Sequence, residues 1–151
     1  MKILIYGINY APELTGIGKY TGEMAAFFAN EGHQVEVITA PPYYPNWEVK
    51  KEYRGGWRKE ILDGVTVLRC PRYVPKVVTG AKRILHEISF VISSLRYWFP
   101  RYFRSYDVIF CVSPPFHLGF MSLPHKWLRG TKVGNHIQDL QVDAARDLEI
   151  I

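Results

Sequence analysis

The sequence has few cysteines and no recognisable metal motif. Cys70 and Cys111 are the only two among 151 residues, and neither belongs to a CxxC pair. Both lie in apolar, strand-like runs, VTVLRC and DVIFCV, so we interpret them as buried free thiols in a reducing compartment. A disulfide or a metal site is the alternative interpretation. Because no His, Cys or Asp spacing matches a zinc site, we expect no bound metal.

Long apolar runs are also missing. No stretch reaches the ~18 uninterrupted apolar residues of a membrane span, and KILIYG near the N-terminus is too short for the apolar core of a secretion signal. The composition, 48% hydrophobic and 22% charged, is that of an ordinary globular protein and excludes a disordered chain. We therefore expect one cytoplasmic domain that is large enough to bury a core.

Positive charge is concentrated in the middle of the chain. The net charge is +5, and residues 43–105 carry thirteen Lys or Arg against five Asp or Glu. Within this part, residues 81–104 mix basic side chains with apolar and aromatic ones, a combination that suits an anionic membrane surface. We therefore predict a peripheral location on the inner face of the membrane. No nucleic-acid-binding motif accompanies the modest charge, so a nucleic-acid partner is not expected.

The alternative for residues 81–104 is a core helix whose basic residues face water. The segment AKRILHEISFVISSLRYWFPRYFR carries the basic residues Lys82, Arg83, Arg96, Arg101 and Arg104. His86 lies in the same basic helix, and we interpret it as solvated.

The order of the predicted elements indicates the fold class. Strand patterns occur at KILIYG, QVEVIT, DVIFCVS and KVGNHIQ, with two short strands joined around the turn dipeptide Asp63-Gly64. Helical patterns occur at 19–30, where Tyr20, Met24, Phe27 and Phe28 share one face, at 81–104 with a break at Pro100, and at 114–130 with an interruption at Pro124. This alternation predicts an α/β, Rossmann-like open sheet that is mainly parallel and has helices on both faces.

The first strand is followed by a long loop, INYAPELTGIG, that ends in glycines at a helix start. The glycines are spaced GxGxxxG and the second strand ends without a carboxylate, so the dinucleotide fingerprint is not matched. Gly16 and Gly18 permit a close backbone approach, and the helix dipole and Lys19 favour a negative charge, as a diphosphate site requires. The alternative is that these glycines only permit a tight turn and a close helix-to-sheet contact.

Three segments resemble a known family. The opening NYAPELTGIGKYTGEMAAFFANEGHQVEVITAPPYYP closely resembles the N-terminal domain of GT-B glycosyltransferases of family 4, in particular the branch that builds bacterial exopolysaccharide such as colanic acid. The segments DVIFCVSPP and HIQDLQVDAARDL are similar to the fourth-strand loop and the following Asp-containing strand end of the same family. Together they cover most of the chain.

The resemblance implies an enzyme of two domains. Such enzymes transfer a sugar with retention from a nucleotide-sugar donor to a lipid-linked acceptor, without an obligatory metal or other cofactor. Residues 1–151 correspond to the N-terminal, acceptor-side domain, and the C-terminal domain that holds the nucleotide sugar is absent from them. A non-catalytic binding or membrane-docking module is the alternative function.

The resemblance also implies roles for particular residues. Gly16 and Gly18, with Lys19 beside them, match the part of the first loop that lies near the donor diphosphate. Asn9, Pro12 and Glu13 match its acceptor-facing part.

Two further residues are candidates for catalysis. Asp139 matches the Asp of the His-Asp motif, although Gln138 stands where the histidine is expected. We predict that its carboxylate orients an acceptor hydroxyl, and a helix N-cap is the alternative. Many relatives carry a histidine in the loop after the fourth strand, where this chain has Val112 and Ser113, and nearby His117 is the candidate to line the cleft instead.

Overall fold

The computed structural model describes residues 1–138, which build one six-stranded sheet covered by helices. The strands are β1 (Lys2–Tyr6), β2 (Gln34–Thr39), β3 (Arg58–Leu62), β4 (Val65–Arg69), β5 (Val108–Ser113) and β6 (Lys132–Ile137). The helices are α1 (Gly16–Asn30), α2 (Gly80–Arg101) and α3 (Leu123–Arg129), with 3-10 turns at Lys51–Tyr53 and Phe116–Ser122.

The strand order across the sheet is β3-β4-β2-β1-β5-β6. All neighbouring pairs are parallel except the β3–β4 hairpin. Asp63 and Gly64 form the hairpin turn with φ of 50° and 76°, the left-handed conformation that two-residue hairpin turns require. The predicted mainly parallel α/β sheet and its hairpin are therefore confirmed.

Alternate side chains of β1 divide the core into two layers. Ile3 and Ile5 belong to the apolar cluster on the α1 side, whereas Leu4 and Tyr6 belong to the cluster on the α2 side, where Trp98 is fully buried. Because successive side chains of a strand point to opposite faces, a strand that is apolar at every position indicates burial on both sides. The predicted placement of helices on both faces is thus confirmed.

Helix α1 approaches the sheet through small residues. Its buried positions are Gly18, Thr21, Gly22 and Ala25. A Cβ at Gly22 would lie 2.8 Å from the Cβ of Ala11, so no larger residue fits there without a shift. Tyr20 and Phe27, which the sequence places on one face with Met24 and Phe28, are 60% and 59% exposed, so that face is only partly covered. Close backbone approach, and not the burial of large side chains, joins this helix to the sheet.

Helix α2 has an unusual distribution of side chains. Its buried face consists of His86, Phe90, Ser94, Trp98 and Arg101. Its outer face and the following turn carry an apolar stripe, which we define as Ile84, Leu85, Ile88, Ile92, Leu95, Phe99 and Phe103, each between 46% and 69% exposed. The more apolar face of the helix is therefore the exposed one. In the part of the chain that the structure describes, no helix has both the length and the hydropathy to cross a membrane.

Two residues of α2 are not where the sequence predicted them. His86 is 2% exposed and not solvated. Arg101 is 6% exposed and not at the surface, because its Nε and Nη2 donate to the Glu36 carboxylate at 3.0 and 3.2 Å. Burial raises the pKa of Glu36, but the Tyr106 hydroxyl and the Arg101 charge outweigh burial and hold it below its usual value. This partly buried ion pair fixes the end of α2 to β2.

The two cysteines agree with their interpretation from the sequence. Cys70 and Cys111 are both buried and both free. Burial raises the pKa of the Cys70 thiol to about 12 and also raises that of Cys111, so both remain protonated. They act as small apolar residues of the core on the α2 side.

Candidate functional site

A cavity of about 290 Å³ lies beyond the carboxyl ends of β1, β2 and β5. It is enclosed by the loops that follow these strands and by the first turns of α1 and α2. The lining residues are Ile8, Asn9, Glu13, Gly16, Ile17, Tyr43, Tyr44, Trp47, Arg83, His86, Glu87, Pro114 and Pro115. This edge of an open parallel sheet is where such folds bind their ligands, and the volume approaches that of small-ligand pockets, which begin at about 300 Å³.

The Glu13 carboxylate lines this cavity and is held in place by hydrogen bonds. It is 5% exposed, and its oxygens accept hydrogen bonds from Asn9 Nδ2 at 2.9 Å and from the backbone N–H groups of Tyr43 and Tyr44, each at 3.1 Å. Burial raises the pKa of Glu13, although these donors act in the opposite direction. The carboxylate thus ties the loop after β1 to the loop after β2.

The two glycines of the first loop have different surroundings. Gly16 lines the cavity and begins α1 with φ +62, a conformation that favours glycine. Gly18 lies behind Glu13, and a Cβ there would come within 2.7 Å of the Glu13 Cβ. Gly18 therefore leaves room for the Glu13 side chain, which favours the close-contact interpretation of this glycine.

The buried Arg69 side chain holds the loop that follows β1 in place. It is 1% exposed, and its guanidinium donates to the carbonyl oxygens of Ala11 at 2.7 Å and Ala40 at 3.1 Å, while Nε donates to Glu60 at 2.6 Å. Since each guanidinium nitrogen has a defined acceptor, Arg69 at the end of β4 joins the loop after β1, the residue after β2 and strand β3. It positions the loop that carries Glu13 without lining the cavity itself.

One wall of the cavity is aromatic. The rings of Tyr43 and Trp47 meet edge to face with centroids 5.3 Å apart, and the His86 ring lies 5.1 Å from Tyr43 and 5.2 Å from Trp47. Trp47 has φ 52°, the left-handed region that bulky residues rarely adopt. Burial, together with the charge of Arg72, lowers the pKa of His86 to about 4, so this imidazole is neutral near pH 7.

The opposite end of the cavity is charged. Arg83 Nε lies 3.5 Å from one oxygen of Glu87, and His117 Nδ1 lies 3.8 Å from the other. His117 therefore lies beside Glu87 but is not itself among the residues that line the cavity. Within residues 1–138, no group of three His, Cys, Asp or Glu side chains converges as a metal site would need.

The structure brings several of the predicted site residues together. Asn9, Glu13 and Gly16 line the cavity, Gly18 supports Glu13, and His117 contacts Glu87. Their predicted roles toward a donor or an acceptor stay predictions.

Other predicted site residues lie apart from the cavity or are not described. Pro12 is exposed and absent from the lining, and Lys19 is exposed with its Nζ 3.8 Å from Glu23. Asp139 lies outside the described residues. Gln138, at the position of the expected histidine, donates from Nε2 to Thr21 Oγ1 at 3.1 Å and so joins the end of β6 to α1.

Sequence reasoning missed the contribution of α2 to the cavity. Arg83, His86 and Glu87 enter the lining from the first turns of this helix. The available signal was their spacing, since positions i, i+3 and i+4 share one face of a helix. The Pro-rich segment APPYYPNW gave a second signal, because a cluster of aromatic residues in a loop indicates a surface for contact.

The fold and this cavity define a class of protein. The chain is an open α/β domain of Rossmann-like type with a cavity at the carboxyl edge of its sheet, the edge where such folds bind ligands. A solved structure of similar fold is the sucrose-phosphate synthase from Thermosynechococcus elongatus, with a TM-score of 0.62 over 96% of this chain and 35% of that chain. At 14% sequence identity, this similarity concerns the fold alone.

The sequence comparisons identify the family. Residues 15–149 match the glycosyl transferase 4-like domain, and the chain belongs to that family. It is 50% identical over 152 residues to a putative colanic acid biosynthesis glycosyl transferase, WcaI, of Escherichia coli (strain K12). The alignment covers 95% of this chain and 35% of the relative, so the chain spans about a third of the curated protein it matches. The predicted resemblance to the N-terminal domain of family 4 GT-B glycosyltransferases is confirmed.

Proposed function

We propose that this chain is the acceptor-side domain of a retaining glycosyltransferase of polysaccharide biosynthesis. The enzyme moves a sugar from a nucleotide-sugar donor to a lipid-linked or polysaccharide acceptor, and a second domain holds the nucleotide. The observation that carries the proposal is the cavity at the carboxyl edge of the sheet, with the buried Glu13 carboxylate fixed by three donors, in a chain that belongs to this family. No cofactor besides the donor is invoked.

Five residues have proposed roles toward the reacting molecules. The backbone at Gly16, at the start of α1, faces the donor diphosphate, where the dipole of the helix favours negative charge. Asn9 and Glu13 face the acceptor. Asp139 orients the acceptor hydroxyl, and His117, held against Glu87, lies at the border of the cleft. In a retaining transfer, such positioning and charge stabilisation carry much of the catalysis.

The test of this proposal uses the full-length protein that contains this domain. It is incubated with a panel of nucleotide sugars and a membrane extract as acceptor, and release of the nucleoside diphosphate is measured together with labelled lipid product. We expect one donor to be consumed and Asp139→Asn to remove most of the turnover. Hydrolysis or transfer of none of the donors would contradict the proposed activity.

We further propose that the apolar stripe of α2 rests on an anionic membrane. Seven large apolar side chains are exposed along about 30 Å of helix, far more than scattered surface residues explain. Basic residues adjoin the stripe, with Lys82 and Arg96 exposed on the same helix and Arg129 donating from α3 to the Tyr102 carbonyl oxygen at 3.0 Å. Apolar residues for insertion beside basic ones for anionic headgroups are the features of an interfacial helix.

Liposome binding tests the membrane proposal. The domain is expected to co-sediment with acidic vesicles at low salt, to dissociate at high salt and to bind neutral vesicles poorly. Reversal of Lys82 and Arg96 to Glu should weaken binding about 30-fold or more, since each basic residue near such a surface contributes about 1 kcal/mol. Arg101 is left unchanged, because it is itself buried and its reversal would break the ion pair with Glu36.

A matched control reverses two lysines away from the stripe. Lys19 on α1 and Lys132 at the start of β6 are both exposed, and their change to Glu alters the net charge by the same amount. Binding that falls equally in both variants, or a wild-type domain that ignores acidic vesicles at low salt, would contradict docking through α2. Membrane binding without any transfer by the full-length protein would instead favour the non-catalytic docking module.

A further inference from the structure

We infer that His86 accepts a hydrogen bond from a hydroxyl group of an uncharged sugar bound in the cavity, with Tyr43 and Trp47 as the wall for its ring. This inference rests on the proposed function, because it names the part of the acceptor that occupies the cavity. That part is a pyranose ring, and we expect no phosphate group to bind beside His86. His86 is thereby a binding residue for the acceptor, on a helix for which the sequence predicted no role in the site.

The hydrogen bond at Nδ1 of His86 determines whether Nε2 carries a proton. His86 Nδ1 lies 2.6 Å from the carbonyl oxygen of Tyr73. A carbonyl only accepts, so Nδ1 carries the proton, and in the neutral ring Nε2 offers a lone pair. Nε2 is buried and has no hydrogen-bond partner among residues 1–138. An unpaired buried acceptor is costly, and a ligand hydroxyl is the donor that would satisfy it.

The charges around the cavity favour a neutral ligand with several hydroxyl groups. The lining contains two carboxylates, Glu13 and Glu87, and one guanidinium, Arg83, which is paired with Glu87. The buried Arg72 guanidinium lies against Tyr43 and interacts electrostatically with both carboxylates, so these charges balance and leave no excess for a charged ligand. The His86 lone pair needs a donor, which a sugar hydroxyl supplies and a fully ionised phosphate oxygen does not. Sugar hydroxyls donate to such acceptors without adding charge.

The aromatic wall fits the other surface of a sugar ring. Tyr43 is 8% exposed and is held in place by the Arg72 guanidinium, which stacks 3.9 Å from its ring centroid. Trp47 is half-buried and shares the wall with His86. Nε2 is buried, so a hydroxyl reaches it only when a neighbouring side chain shifts. The Trp47 ring, with its centroid 5.2 Å from that of His86, is the neighbour that we infer to move. Ligand binding should therefore change the environment of Trp47 as well as that of His86.

The first test observes His86 directly. In the 151-residue chain labelled with ¹⁵N-histidine, Nε2 of His86 is assigned by comparison with His86→Gln and followed as methyl glycosides of glucose, galactose, mannose and fucose are added. We expect at least one neutral glycoside to move the Nε2 resonance, and inorganic phosphate and glucose 1-phosphate to leave it in place. No response to any glycoside, or a response to the phosphates alone, would overturn the inference. This arm needs neither donor nor transfer, so a failure of the proposed enzymatic activity is distinguishable from it.

The second test separates binding from packing in the full-length enzyme. His86→Phe keeps a ring against Tyr43 and Trp47 but has no acceptor, and should raise the KM for the acceptor about tenfold with little change in kcat. His86→Gln places an amide oxygen near the position of Nε2 and should recover part of that loss. If the two variants have equal acceptor KM values while both remain folded by circular dichroism, His86 has only a packing role.

Discussion

Helices α1 and α2 cover opposite faces of one sheet and do so by opposite means. Helix α1 buries glycine, alanine and threonine and exposes Tyr20 and Phe27 as single large residues. Helix α2 buries large and polar side chains, including His86 and Arg101, and exposes a continuous apolar stripe. The α1 face therefore serves close packing, whereas the α2 face also supplies residues to the cavity and a surface for contact. Where a helix buries polar groups and exposes apolar ones, stability alone does not account for its sequence.

The largest expected loss of stability comes from truncating the large buried side chain of α2, Trp98. Trp98 is fully buried, stacks on Tyr102 and meets Tyr6 edge to face. Trp98→Ala should reduce the free energy of unfolding by about 3–5 kcal/mol, because it removes apolar contacts and leaves a cavity. Urea unfolding followed by circular dichroism measures the change. A loss below about 1 kcal/mol would show that α2 is not anchored by this residue.

Adding a side chain where α1 packs closely should reduce stability by a smaller amount. Gly22→Val places methyl groups where a Cβ alone would lie 2.8 Å from the Ala11 Cβ. The helix must shift from the sheet, and the expected loss is about 1–3 kcal/mol. The matched control is Gly80→Val at the first residue of α2, where a Cβ meets no atom within 4 Å and the backbone φ is not positive, so little loss is expected. If Gly22→Val unfolds at the wild-type urea concentration, the close approach of α1 is not required.

Acidification should destabilise the α2 side through His86. Burial lowers its pKa to about 4, below the usual value of about 6.5, so the unfolded chain binds the proton more readily. The stabilisation is present above about pH 6.5 and is lost as the pH falls toward the folded value. Between pH 7 and pH 5.5 the loss should be about 1 kcal/mol. Thermal unfolding over this range measures it.

His86→Phe is the control for this prediction. The variant cannot bind the proton, so its stability should change less between pH 7 and pH 5.5 than that of the wild type. Glu13 acts with the opposite sign, because its pKa is raised by burial and its contribution is lost as the pH rises through that value. Subtracting the variant from the wild type isolates the histidine. An unchanged pH slope in the variant would assign the effect to other groups.

The smallest effect compares single exposed residues of the two helices. Ile92 on α2 is 63% exposed and Phe27 on α1 is 59% exposed, so Ile92→Gln and Phe27→Gln should each change stability by less than about 0.5 kcal/mol. Their effects on vesicle binding should differ, since only Ile92 belongs to the apolar stripe. Equal binding by both variants would remove the functional distinction between the helices.

The sequence predicted the sheet better than the helices. Strands such as VIFCVS are apolar on both sides, so their burial follows from composition, and the Asp63-Gly64 turn follows from backbone preferences. A helical period shows which residues share a face but not which face is covered. The burial of His86 and the exposure of Ile92 therefore required the tertiary structure.

The site was predictable to the extent that local geometry determines it. Asn9, Glu13 and Gly16 lie in the loop that every open parallel sheet of this order presents at its carboxyl edge. The packing of Gly18 against Glu13 and the two carbonyl contacts of Arg69 depend on segments distant in sequence. No local pattern encodes such pairings.

The arrangement of the two faces of α2 also determines how far the cavity would lie from a membrane surface. His86 and Glu87 reach the cavity from one side of the helix, and Ile88 and Ile92 lie on the other. If the stripe rests on a bilayer, the cavity stands above the lipid surface by about the width of one helix, roughly 10 Å. A membrane-anchored acceptor must then carry a spacer of that reach between its lipid and its sugar, and acceptors with a shorter spacer should react more slowly. Measuring the transfer rate against spacer length would show whether the helix works as a molecular ruler.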